Sequence, residues 1–466
     1  MSEPANAKQA SRKPGGQKRA KFLTLSGKNL TTRQVALVAR GDYSVKISLG
    51  AMQRAKAAHK TMLKLAQQRP VYGQTTGVGA NKDVAVTVDT ANHGVRLLRS
   101  HATGSGPLVS DATARAMMVV RLNQLAVGGA GVDPELLEQL ADSLNLGITP
   151  PIRKYGAIGT GDLTALATTA LCMMGELPWR DNAKFRKHAF SNSDALAFMS
   201  SSAATLGEAA LACVGLEQLL HASTHITALS FIALGGNLEA FDVAVHAAKP
   251  YAGQASVATD FRKLLANYSP NSARRIQDPF GLRTFPQVHG ACVDSLHLAK
   301  EVVEIEINTA CENPLVDADR EAIYHNGNFH LEQLTLDLDK LRASVYGTAS
   351  LSAARLGELM EPTVTELRPF LADRADAGSG VLILEYVVSS ALAEIRHLAQ
   401  PDCLGSAVIS LGTEDHASFA TQAAWHTTEL IEAYETVLAC ELVAAVRALR
   451  LQNAKLSPGP LKDFFE

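Results

Sequence analysis

Residues 194–241 constrain the fold of this chain more than any other stretch. They are rich in Ala, Leu and Ser, carry few charges and place their apolar residues at helical spacing. A helix that is apolar nearly all round must be enclosed by other elements. A chain that has to enclose one is expected to fold as a helical bundle. Residues 50–68, 110–127, 134–144, 162–175, 288–311, 333–357, 380–398 and 415–451 show the same periodicity and are read as further helices. Phe22-Leu23-Thr24-Leu25 alternates like a short strand, and Pro150-Pro151 interrupts the chain. The expected architecture is mainly α: a long-helix bundle with a smaller N-terminal α+β part. Residues 1–21 are expected to be a disordered basic tail, 22–190 an N-terminal domain, and 191–466 the central and C-terminal bundle.

Composition narrows the function classes. Hydrophobic residues make up 47% of the 466, enough for a large core, and aromatics only 5%. A formal net charge of -2 gives no global basic field, so neither nucleic acid nor membrane is an expected partner. Lys8, Arg12, Lys13, Lys18, Arg19 and Lys21 read as a solvated tail. No uninterrupted run of about 18 apolar residues is read, so no membrane span is expected. The six cysteines are scattered with no Cys-x-x-Cys pair. That spacing points to small core residues in a reducing, cytoplasmic setting, and no metal is expected.

The chemistry is expected in the connections. Gly156-Ala157-Ile158-Gly159-Thr160-Gly161-Asp162-Leu163 puts a hydroxyl residue between two glycines, just before an apolar helix. Its plain reading is a helix-entry turn. Its chemical reading is backbone cyclisation: a glycine nitrogen, unshielded by a side chain, attacks a nearby carbonyl. Dehydration of the middle residue then leaves a carbon electrophile. Tyr72-Gly73-Gln74-Thr75-Thr76-Gly77-Val78-Gly79 is a tight loop whose Tyr72 could serve as a base if its pKa fell from about 10. Arg99-Ser100-His101, Gln277-Asp278-Pro279-Phe280-Gly281-Leu282-Arg283, Asn313-Pro314-Leu315, Gly327-Asn328-Phe329-His330 and Glu414-Asp415-His416 complete the set. Taken singly, each has a bland alternative: Tyr72 a half-buried loop residue, Arg283 an ion-pair partner, Glu414-Asp415 a helix cap.

Taken in order, these motifs resemble the aromatic amino-acid ammonia-lyases, above all the histidine-specific members, from about residue 40 to the C-terminus. The resemblance implies a fold of the histidine/phenylalanine ammonia-lyase type. It also implies a homotetramer whose active sites draw loops from three subunits, and a methylidene-imidazolone prosthetic group formed within the chain. It assigns Tyr72 as the base that takes the β-proton and Arg283 as the clamp on the substrate carboxylate. It places His101 at the ring-selectivity position, Glu414 near the imidazole or amine, and Phe329 beside the electrophile. Gln277, Phe280 and Ser200 fall at substrate-contact positions.

Three positions depart from the family pattern. Its Ala-Ser-Gly is Gly159-Thr160-Gly161, its active-site Asn is Ser200, and a Tyr of the Gln-Asp-Pro motif is Phe280. A Thr-derived group would carry an extra methyl on its exocyclic carbon. The leading expectation is ammonia elimination from an imidazole-bearing, histidine-like amino acid to an unsaturated acid such as urocanate, with a variant group from residues 159–161 and no other cofactor. One alternative is elimination of trimethylamine from a betaine such as ergothioneine or hercynine, as in ergothionase, which needs no such group. Others are an aminomutase and a non-catalytic homologue that binds an aromatic amino acid.

Overall fold

The computed structural model describes residues 21–86, 92–269, 273–374 and 377–466. The expected basic tail, apart from Lys21, lies outside the described residues. Strand β1 (Lys21–Leu25) is followed by α1 (Thr32–Ala39), β2 (Tyr43–Ile47) and α2 (Leu49–Ala66). Next come α3 (His93–His101), β3 (Ser105–Leu108), α4 (Asp111–Val127), α5 (Glu135–Asn145), β4 (Arg153–Tyr155) and α6 (Leu163–Met174). Then follow α7 (Asn192–Met199), α8 (Ala203–Leu234), α9 (Val243–Ala247), α10 (Ala252–Leu264), α11 (Phe280–Arg283) and α12 (Phe285–Glu306). A hairpin of β5 (Leu315–Asp317) and β6 (Ala322–Tyr324) precedes α13 (Glu332–Met360), α14 (Pro362–Thr365), α15 (Ile383–Leu398), α16 (Ala420–Leu451) and α17 (Pro460–Phe465). The sheets are two-stranded: β1 and β2 pair in parallel, β3 with β4 and β5 with β6 antiparallel.

The apolar helix sits where its composition demands. Helix α8 is packed by α4, α12 and α16, while α13 packs on α12 and α16. Leu206, Ala210, Cys213, Leu216, Leu229 and Phe231 of α8 are buried. By length and mean hydropathy, Asn192–Leu234 does qualify as a membrane-crossing stretch, contrary to the sequence expectation. Its most apolar part is 89% buried within the fold, so its hydropathy is that of a core helix.

The 194–241 helix is not continuous. It breaks at Ser200-Ser201-Ser202, because serine side chains compete for backbone partners. Ser201 Oγ accepts the Ala203 N–H at 3.0 Å and donates to Gln124 Oε1 at 2.6 Å. The helix stops at Leu234, where Gly235 turns left-handed at φ 62°. The last long helix starts at Ala420 rather than 415, which leaves 413–418 as a loop. Helices α1, α3 and α10, absent from the sequence reading, are short and amphipathic.

Three arginines are among the largest fully buried side chains. Arg355 of α13 pairs with Glu441 of α16 through Nε at 2.6 Å and a terminal nitrogen at 2.7 Å. Ser230 of α8 donates to the same carboxylate at 2.7 Å. Arg355 also donates to the Gly281 carbonyl at 2.9 Å, which fixes α11 to the bundle. A buried pair stripped of one partner leaves a desolvated charge, so Glu441→Ala should cost about 3–5 kcal/mol. Urea unfolding of the variant against the parent measures this.

Candidate active site

A cleft of about 270 Å³ opens where the Gly-Thr-Gly turn meets the Tyr72 and Glu414 loops. Tyr72, Thr160, Gly161, Ser200, Phe329 and Glu414 line it together with Asn313, His330, Asp415 and His416. A neighbouring hollow of about 460 Å³ shares Tyr72, Asn313, Phe329, Thr413 and Glu414 with it.

The turn lies at the meeting point of three helix starts. Leu163 begins α6 directly after it. Asp162 accepts the Thr205 N–H of α8 at 2.7 Å and the Thr205 hydroxyl at 2.9 Å. Thr205 in turn meets Thr421 of α16 at 2.8 Å. Three helix N-termini therefore direct partial positive charge at this turn, a setting that stabilises developing negative charge. Burial pushes the fully enclosed Asp162 carboxyl up to about 6, against the two Thr205 hydrogen bonds.

The conformation of the turn explains its residues. Gly159 and Gly161 have φ of +84° and +112°. A Cβ at 159 would lie 2.2 Å from Ser418 Oγ and 2.7 and 2.9 Å from the backbone nitrogens of Ala420 and Phe419. The alanine that the family pattern calls for therefore does not fit here, and glycine does. The tripeptide is compatible with backbone cyclisation. Thr160 faces the cleft, the Gly161 nitrogen carries no side chain beside it, and the Ser418 hydroxyl donates to the Gly159 carbonyl at 2.9 Å. That last bond polarises the carbonyl that the nitrogen would attack.

The wall opposite is set by a second buried ion pair. Arg121 of α4 holds Glu312 at 2.8 Å and donates to the carbonyls of Ala197 and Phe198 at the end of α7. This fixes Ser200 next to Asn313. The Asn313 N–H donates to Ser200 Oγ at 3.0 Å, so the serine hydroxyl is occupied by backbone.

Tyr72 accepts the Gly79 N–H at 2.8 Å, and its own N–H donates to His325 Nε2 at 3.2 Å. Burial pushes the phenol above its ordinary value. The Gly79 N–H opposes this and the Glu414 charge adds to it. The fall that a base role favours is thus reversed in the isolated chain. The main cause is burial of the phenol, to which the Glu414 charge adds, and the described lining residues of the cleft include no Lys or Arg to offset it.

Four expected residues lie elsewhere. His101 ends α3, with Nδ1 2.8 Å from the Leu97 carbonyl, and does not line the cleft. Gln277 is exposed and Phe280 is 63% exposed. The Arg283 guanidinium stacks on the Phe280 ring at 4.5 Å, and its Nε is buried with no hydrogen-bond partner among the described residues. Neither Glu414 nor Asp415 caps α16, which begins at Ala420. Sequence reasoning missed Ser418 and the anchoring role of Asp162. Asp162 was signalled by the Gly-Asp-Leu motif; nothing local signals Ser418.

The aromatic amino acid lyase family model matches residues 30–465. A histidine ammonia-lyase of Treponema denticola is 34% identical, over 94% of this chain and 90% of its own. Two solved structures share the fold. Ergothionase from Treponema denticola, an ergothioneine-degrading enzyme, has a TM-score of 0.89 at 28% identity, covering 96% of this chain and 93% of that one. Histidine ammonia-lyase from Trypanosoma cruzi has a TM-score of 0.87 at 26% identity, covering 95% and 88%. The chain belongs to the aromatic amino acid lyase family. It is a carbon–nitrogen lyase.

Gly159→Ala is expected to lose about 1–3 kcal/mol through overpacking alone, with backbone strain adding to this. Thr160→Ala, which creates no contact, should stay near the parent. Paired chemical denaturation curves separate the two.

Proposed function

We propose that this chain eliminates the α-amine of histidine or a closely similar imidazole-bearing amino acid, giving an α,β-unsaturated acid of the urocanate type. The observation that carries this reading is the cleft itself, in which Thr160 faces Tyr72, Phe329 and Glu414. The histidine ammonia-lyase relatives agree with it. Residues 159–161 are the source of a methyl-bearing variant of the methylidene-imidazolone. When formed, that group supplies a carbon electrophile that makes a poor amine a better leaving group. Tyr72, as a phenolate held by the Gly79 N–H, takes the β-proton at its phenolic oxygen and becomes the neutral phenol. Glu414 faces the imidazole or the amine, and Phe329 packs against the ring.

The carboxylate clamp comes from another copy. The described lining of the cleft bears two acidic side chains and no Lys or Arg, and Lys82 of the adjoining hollow lies 3.9 Å from Asp83 and lacks a guanidinium fork. Arg283 has an Nε with no hydrogen-bond partner among the described residues and stacks on exposed Phe280. A homotetramer with shared sites brings Arg283, Phe280 and Gln277 of one subunit to the cleft of another. The planar guanidinium suits bidentate pairing with a carboxylate.

A second reading is favoured by specific departures. Ser200 is engaged by Asn313 and Phe280 has no hydroxyl, so two usual supports of the prosthetic group are missing. A trimethylammonium betaine carries its own leaving group, and aromatic rings stabilise such a cation. The fold shared with ergothionase is consistent with this.

High-resolution mass of the peptide containing residues 159–161 tests the leading reading. The native protein should show a deficit of two waters, and Thr160→Ala should not. Histidine turnover, followed as urocanate absorbance, should disappear in Thr160→Ala. Activity on a trimethylated substrate that survives this substitution supports the second reading instead. The Tyr72 assignment has its own signature. A phenolate base makes kcat/KM rise with pH through the Tyr72 pKa. Glu414 raises that pKa, so Glu414→Gln should move the acidic limb to lower pH. A limb that stays fixed or moves up counts against Tyr72 as the base.

A further inference from the structure

We propose that His330, Glu332 and His416 form a binding site for a divalent transition-metal ion of the zinc class at the edge of the cleft. The site does not depend on the lyase reading. The two imidazoles approach with His330 Nε2 and His416 Nδ1 3.0 Å apart. One ligand atom from each of the three residues lies within 4.8 Å of the others. Tetrahedral zinc with bonds near 2.0–2.1 Å sets its ligand atoms about 3.3 Å apart. The histidine pair is a few tenths of an ångström from that spacing, and the carboxylate has a modest distance to close.

The Glu332 carboxylate is the second, independent observation. Glu332 is the first residue of α13, and its Oε2 is buried with no hydrogen-bond partner among the described residues. A helix N-terminus accounts for the charge of that carboxylate but leaves the oxygen unsatisfied. An unpaired buried oxygen costs free energy, and a cation shared with the two imidazoles would remove that cost. The histidine pair alone could be a neutral hydrogen bond; the orphaned oxygen beside it is what a hydrogen-bonded pair does not explain. Glu414 and Asp415 line the same cleft and add negative potential.

The three ligands come from separate parts of the chain. His330 follows Phe329 in the turn before α13, and His416 lies two residues beyond Glu414. An ion held between them ties together the two segments that present Phe329 and Glu414 to the cleft. Three protein ligands leave a coordination position for water or a small ligand. Because the ligands are dispersed, no spacing motif announces the site, and the sequence expectation of no metal rested on such motifs.

The test is zinc titration of the untagged, chelator-treated protein by calorimetry near neutral pH. Saturable binding of one Zn²⁺ per chain is expected. His416→Ala, at an exposed position, and the shape-preserving Glu332→Gln should each weaken binding by more than about 10-fold. Cys403→Ser, which removes the only cysteine that is not buried, should leave binding unchanged. Zinc should also raise the melting temperature of the parent but not of His416→Ala. Absence of saturable binding overturns the proposal. So does binding that persists in both ligand variants, or binding lost on Cys403→Ser.

Discussion

The Arg355–Glu441 pair is the constraint on which the rest of the structure depends. It joins α13 to α16, takes in Ser230 of α8 and reaches the carbonyl of Gly281. Two charges removed from water recover their desolvation cost only with good geometry and full hydrogen bonding. Here a two-point ion pair, two serine hydroxyls and a backbone carbonyl meet that demand. Apolar Ala/Leu helices pack in many registers with similar energy, whereas a buried pair of this kind is satisfied in one. The register matters because it sets where α8 and α16 begin, and those beginnings frame the Gly-Thr-Gly turn.

The turn itself shows how backbone geometry has chosen chemistry. Ser418 and the first nitrogens of α16 press so close to residue 159 that only glycine is accommodated. The same closeness lets the Ser418 hydroxyl polarise the Gly159 carbonyl. The departure from alanine is therefore coupled to a contact that favours attack on that carbonyl. Thr160 is different: it lines the cleft itself, where its hydroxyl bears on the chemistry.

Periodicity made the bundle legible. The 111–127, 163–174 and 332–360 helices fall within a few residues of their expected bounds, because an apolar stripe has to face a core. The break at Ser200–Ser202 was not legible, since Ser at helical spacing reads as helix until its hydroxyls find partners across the fold. Tyr72, Thr160, Ser200, Phe329 and Glu414 were named from motifs and do meet in one cleft. Local sequence could not reveal that Ser200 is spent on Asn313, or that His330, Glu332 and His416 converge. Those facts depend on contacts across more than 80 residues.

His101, Gln277, Phe280 and Arg283 lie outside that cleft, and the electrostatics give this separation a physical reason. Arg283 placed beside Glu414 in the same chain would form an internal ion pair and be lost to the substrate. Set outside the cleft and stacked on Phe280, it avoids that internal pairing. In the cleft, burial raises the Tyr72 pKa and the Glu414 charge adds to it. Under the shared-site reading, a guanidinium arriving from a neighbouring subunit supplies the missing positive charge and offsets the repulsion that Glu414 exerts on a phenolate. The isolated chain then holds its base in the protonated form, and assembly both completes the carboxylate clamp and makes the base easier to ionise. On that reading, elimination would be coupled to assembly by charge balance as well as by geometry.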